Sequence, residues 1–228
     1  MNLYFLVEGM QSERKVYPAL LSHLLPELTR VQSYDEVNEK NYYLISGEGD
    51  PSLYDFIPPS IEEINLSGKY NYFVVCLDAE ENTVAQRHAE IYDFLNQEKL
   101  ELKNAEIVLI VQNRCLETWL LGNRKIYSKQ PQYQPLLDYT KYYNVSVDCP
   151  EKMGKYLDFN THAQFHGAYL RALFEAKNIT YSKKRPGDVL KPFYLEQLLT
   201  RIEFQPEQLT TFHHFIDFCN IVKSKLPN

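Results

Sequence analysis

Apolar residues follow two rhythms along this chain. Continuous runs at residues 3–8, 42–45, 70–77 and 105–111 have the length and evenness of strands buried on both faces. Between them, apolar positions fall at helical spacing. Val16, Leu20, Leu21, Leu24, Leu25 and Leu28 follow Ser12, which reads as a helix N-cap. A second helix is expected from about Ser52 into Ile64, interrupted or delayed by Pro58-Pro59. Val84, Ile91, Phe94 and Leu95 follow Asn82-Thr83, and residues 115–121 read as a helical turn burying Leu116, Trp119, Leu120 and Leu121. The alternation predicts an α/β fold, a mostly parallel four-stranded sheet flanked by helices, over residues 1–122. Beyond 122 the rhythm changes. Residues 123–160 are rich in Tyr, Gln, Lys and Pro with weak periodicity, which reads as an irregular insert. Helical spacing returns at about 161–176, 189–201 and 207–223, so residues 123–228 are expected to form an insert and a C-terminal helical elaboration packed on the core.

Composition narrows this picture in three places. The net charge of −6 argues against a protein that holds nucleic acid by charge alone. Such a chain would need metal ions, a local basic patch or a partner. The four cysteines show no metal-binding spacing, and Cys76 and Cys219 read as small buried hydrophobes, with no disulfide framework or zinc site expected. The N-terminus has no basic leader, and no apolar run approaches the roughly 18 residues of a membrane span, so no membrane association and a reducing, cytoplasmic setting are expected. Tyrosine, at 18 residues, reads as strand and surface material. Gly47-Glu48-Gly49 is no phosphate loop, and no P-loop pattern occurs, so the chain is not expected to hydrolyse ATP alone.

The candidate chemistry is acidic. Glu8 closes the first apolar run, and Asp78 and Glu80 close the third. Ligands of open parallel sheets bind at the carboxyl ends of the strands, and neighbouring strands lie about 4.8 Å apart. Carboxylates brought that close repel unless a proton or cation intervenes, and a hard divalent cation suits oxygen donors. The Asp-x-Glu spacing points both side chains to one side if the chain stays extended. Glu81 replaces Glu80 as ligand if the turn comes early. Glu13, in the first turn of the next helix, is either a further acidic member or a helix-dipole partner. Glu117, on an otherwise apolar turn, is either part of the site or a buried acid paired with Arg114 or Arg124. Residues 181–187, Tyr-Ser-Lys-Lys-Arg-Pro-Gly, form a compact basic stretch, either a solvated loop or one that folds over the sheet to bring Lys183 to a phosphate. His162 and His166 share metal-binding i, i+4 spacing without the flanking Glu of a zinc protease. Trp119 reads as core.

Glu-Gly after a first strand, then a helix, then a later strand ending in Asp-x-Glu, resembles the signature of the Toprim domain. The chain looks like small stand-alone Toprim proteins related to the RloB group and to the nuclease half of overcoming-lysogenization-defect (OLD) proteins. Glu-Gly-x-x-Ser-Glu at 8–13, Glu-Thr-Trp-Leu-Leu at 117–121 and Tyr-x-Lys at 181–183 are similar to segments of that group. The resemblance covers roughly residues 3–121. It implies a Mg²⁺- or Mn²⁺-dependent nuclease acting on DNA or RNA, often with a partner ATPase in phage defence. It implies metal ligation by Glu8, Asp78, Glu80 and Glu117, and catalysis by Glu8, Asp78 and Lys183. The family's acidic pair more often ends in Asp, where this chain has Glu80. The alternative reading is a catalytically inert Toprim-fold subunit that binds a partner or senses a signal.

Overall fold

The computed structural model describes residues 1–128 and 133–226. Residues 129–132 of the expected irregular insert, and 227–228, lie outside the described residues. In chain order the elements are β1 (Asn2–Val7), α1 (Glu13–Leu24), β2 (Thr29–Arg30), β3 (Asn41–Ser46), α2 (Leu53–Ser67), β4 (Tyr72–Asp78), α3 (Val84–Gln97), β5 (Glu106–Gln112), α4 (Leu116–Leu120), α5 (Leu136–Tyr142), α6 (His162–Glu175), α7 (Pro192–Phe204) and α8 (Thr210–Ser224). The α/β class is as expected. The sheet has five strands, in the order β2-β3-β1-β4-β5. β1 pairs in parallel with β3 and β4, and β2 with β3. β5 runs with β4, because Glu106 N–H bonds Asn71 O at one end and Ala79 N–H bonds Gln112 O at the other.

Three local expectations are corrected. The fifth strand, β2, is two residues long and carries no periodicity to read. Pro58-Pro59 neither interrupts nor delays α2, which runs from Leu53 to Ser67. Each proline removes one amide bond to the residue four back, but the buried stripe Leu53, Ile57, Ile61 and Ile64 carries the helix through. Ser12 precedes α1 in helical conformation and makes no side-chain cap; its hydroxyl donates to Glu13 Oε2 at 2.8 Å instead.

The chain divides into two compact units. One comprises residues 1–77, 84–111 and 214–228, the other 78–83 and 112–213. The first carries the sheet. β1 and β4 are buried along their whole lengths, which is why their sequences are continuous apolar runs. Tyrosines build this core: Tyr4 meets Tyr43, Tyr70 and Phe73 edge to face, and Tyr17 meets Phe215. The second unit centres on α6, where Phe165 and Tyr169 pack with Tyr139. Trp119 is core, as expected: its ring meets Phe212 and its N–H donates to Thr211 Oγ1 at 2.8 Å. All four cysteines are free and buried. Among the described residues, no helix is long and apolar enough to cross a membrane.

Candidate metal centre

Strand order positions the site. From β1 the chain builds β2 and β3 on one side, then passes to β4 and β5 on the other. The order therefore reverses between β1 and β4, and the crevice at their carboxyl ends is where open α/β sheets bind ligands. Glu8 follows β1 there, and its backbone is held on two sides. Its N–H donates to Cys76 O at 2.9 Å, and its carbonyl accepts from Gly49 N–H at 2.9 Å. Asp78 ends β4. Beyond it, Ala79 N–H donates to Gln112 O and Glu80 N–H to Arg114 O, and the Arg114 guanidinium returns bonds to the carbonyls of Glu80 and Asn82.

One carboxylate oxygen from each of Glu8, Asp78 and Glu80 lies within 4.8 Å of the others. The three acids converge as expected, by a different route. Glu80 is not extended: its φ is +53, in the left-handed region that costs a non-glycine residue about 1 kcal/mol or more. That turn also decides between Glu80 and Glu81. Glu81 leaves the cluster and takes the start of α6, accepting from His162 N–H and meeting His162 Nδ1, both at 2.7 Å. The donor set fits a hard divalent cation. It is all oxygen, and two oxygens on one such ion lie at most about 4–5 Å apart.

Arg87 is the residue that sequence reasoning missed. It is buried on α3, and its guanidinium lies 4.0 Å from Glu8, 3.7 Å from Asp50 and 2.8 Å from Glu90. Burial lowers its pKa, but the Glu90 hydrogen bond and the nearby Asp50, Tyr54 and Glu8 outweigh this and raise it. One charge is thus shared among three carboxylates, with Glu8 the most distant. A signal existed in the sequence: Arg87 stands between Val84 and Ile91 on the apolar stripe of α3, where a charge needs a buried partner.

Glu13 is buried but outside the converging trio. Its carboxylate bonds Ser12 and folds against Gly9, where an added Cβ would stand 2.1 Å from Glu13 Oε2. A side chain at position 9 would therefore displace the Glu13 carboxylate from this place. Glu117 is also outside the trio, and its partner is neither Arg114 nor Arg124. It accepts from Tyr181 O–H at 3.1 Å and faces Lys183 Nζ at 3.7 Å. The basic stretch is a tight turn closed by Ser182 and Arg185, with Tyr181 buried and the Lys183 side chain half exposed. An open cleft of ≈ 510 Å³ within the second unit is lined by Glu80, Phe159, Thr161, Ala163, Gln164, Arg171 and Lys183. A predicted metal ligand, Glu80, and the predicted phosphate-binding lysine, Lys183, thus line the same cleft.

Both histidines of the i, i+4 pair have partners within the protein. His162 is engaged with Glu81, and buried His166 meets Thr118 Oγ1 and Met153 O. Burial, with the charges of Glu117 and Asp78, pushes the Cys115 thiol well up, so it is no nucleophile. No family model, curated protein or solved structure matches this chain.

Proposed function

We propose that this protein is a divalent-metal-dependent phosphodiesterase, a DNA or RNA nuclease of the Toprim kind. The observation that carries the reading is the convergence of Glu8, Asp78 and Glu80 within 4.8 Å at the reversal point of a parallel sheet. Those three residues would hold Mg²⁺ or Mn²⁺, which supplies a water of lowered pKa and charge stabilisation for the leaving oxygen. Arg87, 4.0 Å from Glu8, would offset part of that carboxylate's charge. Lys183 stands on the same cleft as Glu80 and would offset charge developing on the phosphoryl group. Glu117 and Tyr181 fix the turn that presents it. The net charge of −6 fits an effector that takes its substrate with help from a partner, and an ATPase is the partner the resemblance implies.

The test is incubation with plasmid DNA and structured RNA in Mg²⁺ or Mn²⁺. Cleavage is expected, and Glu8→Gln and Asp78→Asn are expected to abolish it. Cleavage that survives either substitution removes the mechanism. The Arg87–Glu8 pair favours one rival, an inert subunit whose acids are balanced within the protein. Calorimetry showing no Mg²⁺ or Mn²⁺ binding would select that rival.

A further inference from the structure

We infer that the cleft between Glu80 and Arg171 is a subsite for the sugar–phosphate backbone of a polynucleotide, with Arg171 holding a phosphate next to the one Lys183 meets. The inference rests on the hydrolase reading for its chemistry and extends it to the substrate. The cleft's ≈ 510 Å³ lies within the usual range for ligand sites, about 300–1,000 Å³. Its polar lining comprises two cations, the Thr161 hydroxyl, the Gln164 amide and one carboxylate, Glu80, with Phe159 as an apolar wall, so cations outnumber acids where a phosphate and its sugar would lie.

Arg171 is the informative member. It is exposed on α6, and among the described residues it makes no ion pair, in a chain of net charge −6. A planar guanidinium is suited to bidentate contact with phosphate oxygens. It is close to the lysine's support. The position a Cβ would take on Gly167 is 3.5 Å from Arg171 Nη1 and 4.0 Å from Glu117 Cγ, and Glu117 is the acid that faces Lys183. Two cations lining one cleft suit two anions in succession. A phosphomonoester or a simple diester offers one, whereas a strand offers a series.

The experiment measures binding apart from hydrolysis. Fluorescence anisotropy would follow short labelled single-stranded DNA, single-stranded RNA and duplex DNA, in EDTA and again in Ca²⁺, over a range of salt. Wild type is expected to bind at least one of the three. Arg171→Gln is expected to weaken that binding about fivefold or more and to lower the salt slope by about one unit. Arg171→Lys should keep most of the slope and lose part of the affinity. Lys103→Gln removes the same charge from an exposed site on the first unit and should change neither. Far-UV and near-UV circular dichroism would confirm that each variant is folded. Equal behaviour of Arg171→Gln and wild type, or of Arg171→Gln and Lys103→Gln, overturns the subsite. Absence of binding by wild type to every oligonucleotide in both conditions overturns it as well. Intact Arg171-dependent binding without cleavage in Mg²⁺ or Mn²⁺ would instead remove the hydrolase reading and leave the subsite standing.

Discussion

His166 shows how far a single side chain can be read. A carbonyl only accepts, so Nε2, 3.2 Å from Met153 O, carries the proton. Nδ1 then accepts from the Thr118 hydroxyl at 2.7 Å. A second ring proton would break that arrangement and bury a charge. Burial, helped by His162, lowers the pKa from 6.5 to about 4. The unfolded chain takes up this proton near pH 6.5 and the folded one only near pH 4, so stability falls as pH drops through that window, by about 3 kcal/mol in all. Urea midpoints should decline between about pH 7 and pH 5 in wild type and decline less in His166→Gln; equal slopes would exclude His166 as the source. Glu117 supports a second prediction. As the anchor of Tyr181 and Lys183, it should tolerate Glu117→Gln with Mn²⁺ affinity unchanged, because the amide oxygen still accepts from Tyr181. Glu117→Ala should cost about 1–3 kcal/mol by leaving a buried hydroxyl unsatisfied. A large loss of Mn²⁺ affinity in Glu117→Gln would instead make it a ligand, the role the resemblance implies. The acids at strand ends were legible because a charge after an apolar run needs a partner. The partner of Glu117 was not, since Tyr181 is 64 residues away in sequence.

At the scale of elements, legibility follows repetition. β1 and β4 announce themselves because every position is buried. β2 has two residues and is defined by its neighbour, its Thr29 N–H bonding Lys40 O and Val31 N–H bonding Tyr42 O. The weakly periodic stretch after residue 122 is ordered differently. Arg201, buried on α7, donates to the carbonyls of Gly122, Val145 and Asp148 and to Gln208 Oε1. Segments separated by 79, 56 and 53 residues are thereby tied by one guanidinium, and no periodicity records it. Burial, with Arg124 nearby, lowers its pKa to about 10, so it stays charged near neutrality. Arg201→Met keeps much of the packing volume but strands the carbonyls. We expect a loss of about 3 kcal/mol or more and early proteolytic cleavage within residues 143–149. A loss under about 1 kcal/mol with unchanged proteolysis would mean that apolar packing alone orders the segment.

At the scale of the whole molecule, the acidic cluster sets stability against function. Three carboxylates within 4.8 Å oppose folding when no cation is bound, in a chain already at −6. A bound cation offsets this by mass action, by about 2.7 kcal/mol at a hundredfold excess over Kd. Asp78→Asn keeps the shape of the side chain and removes one charge. In EDTA the variant should therefore unfold at higher urea than wild type, since less repulsion remains. In saturating Mn²⁺ the order should invert, because wild type gains the binding free energy and the variant loses a ligand. Paired urea titrations, with and without Mn²⁺, read both halves of the prediction. If Mn²⁺ and Mg²⁺ leave wild type unmoved, the cluster is not a metal centre, and Arg87 with its neighbours balances the charge. If Mn²⁺ stabilises wild type and Asp78→Asn equally, the ion is held elsewhere. Only a crossover of the two proteins places the ion on the carboxylate that ends β4, and it would do so without any substrate being cleaved.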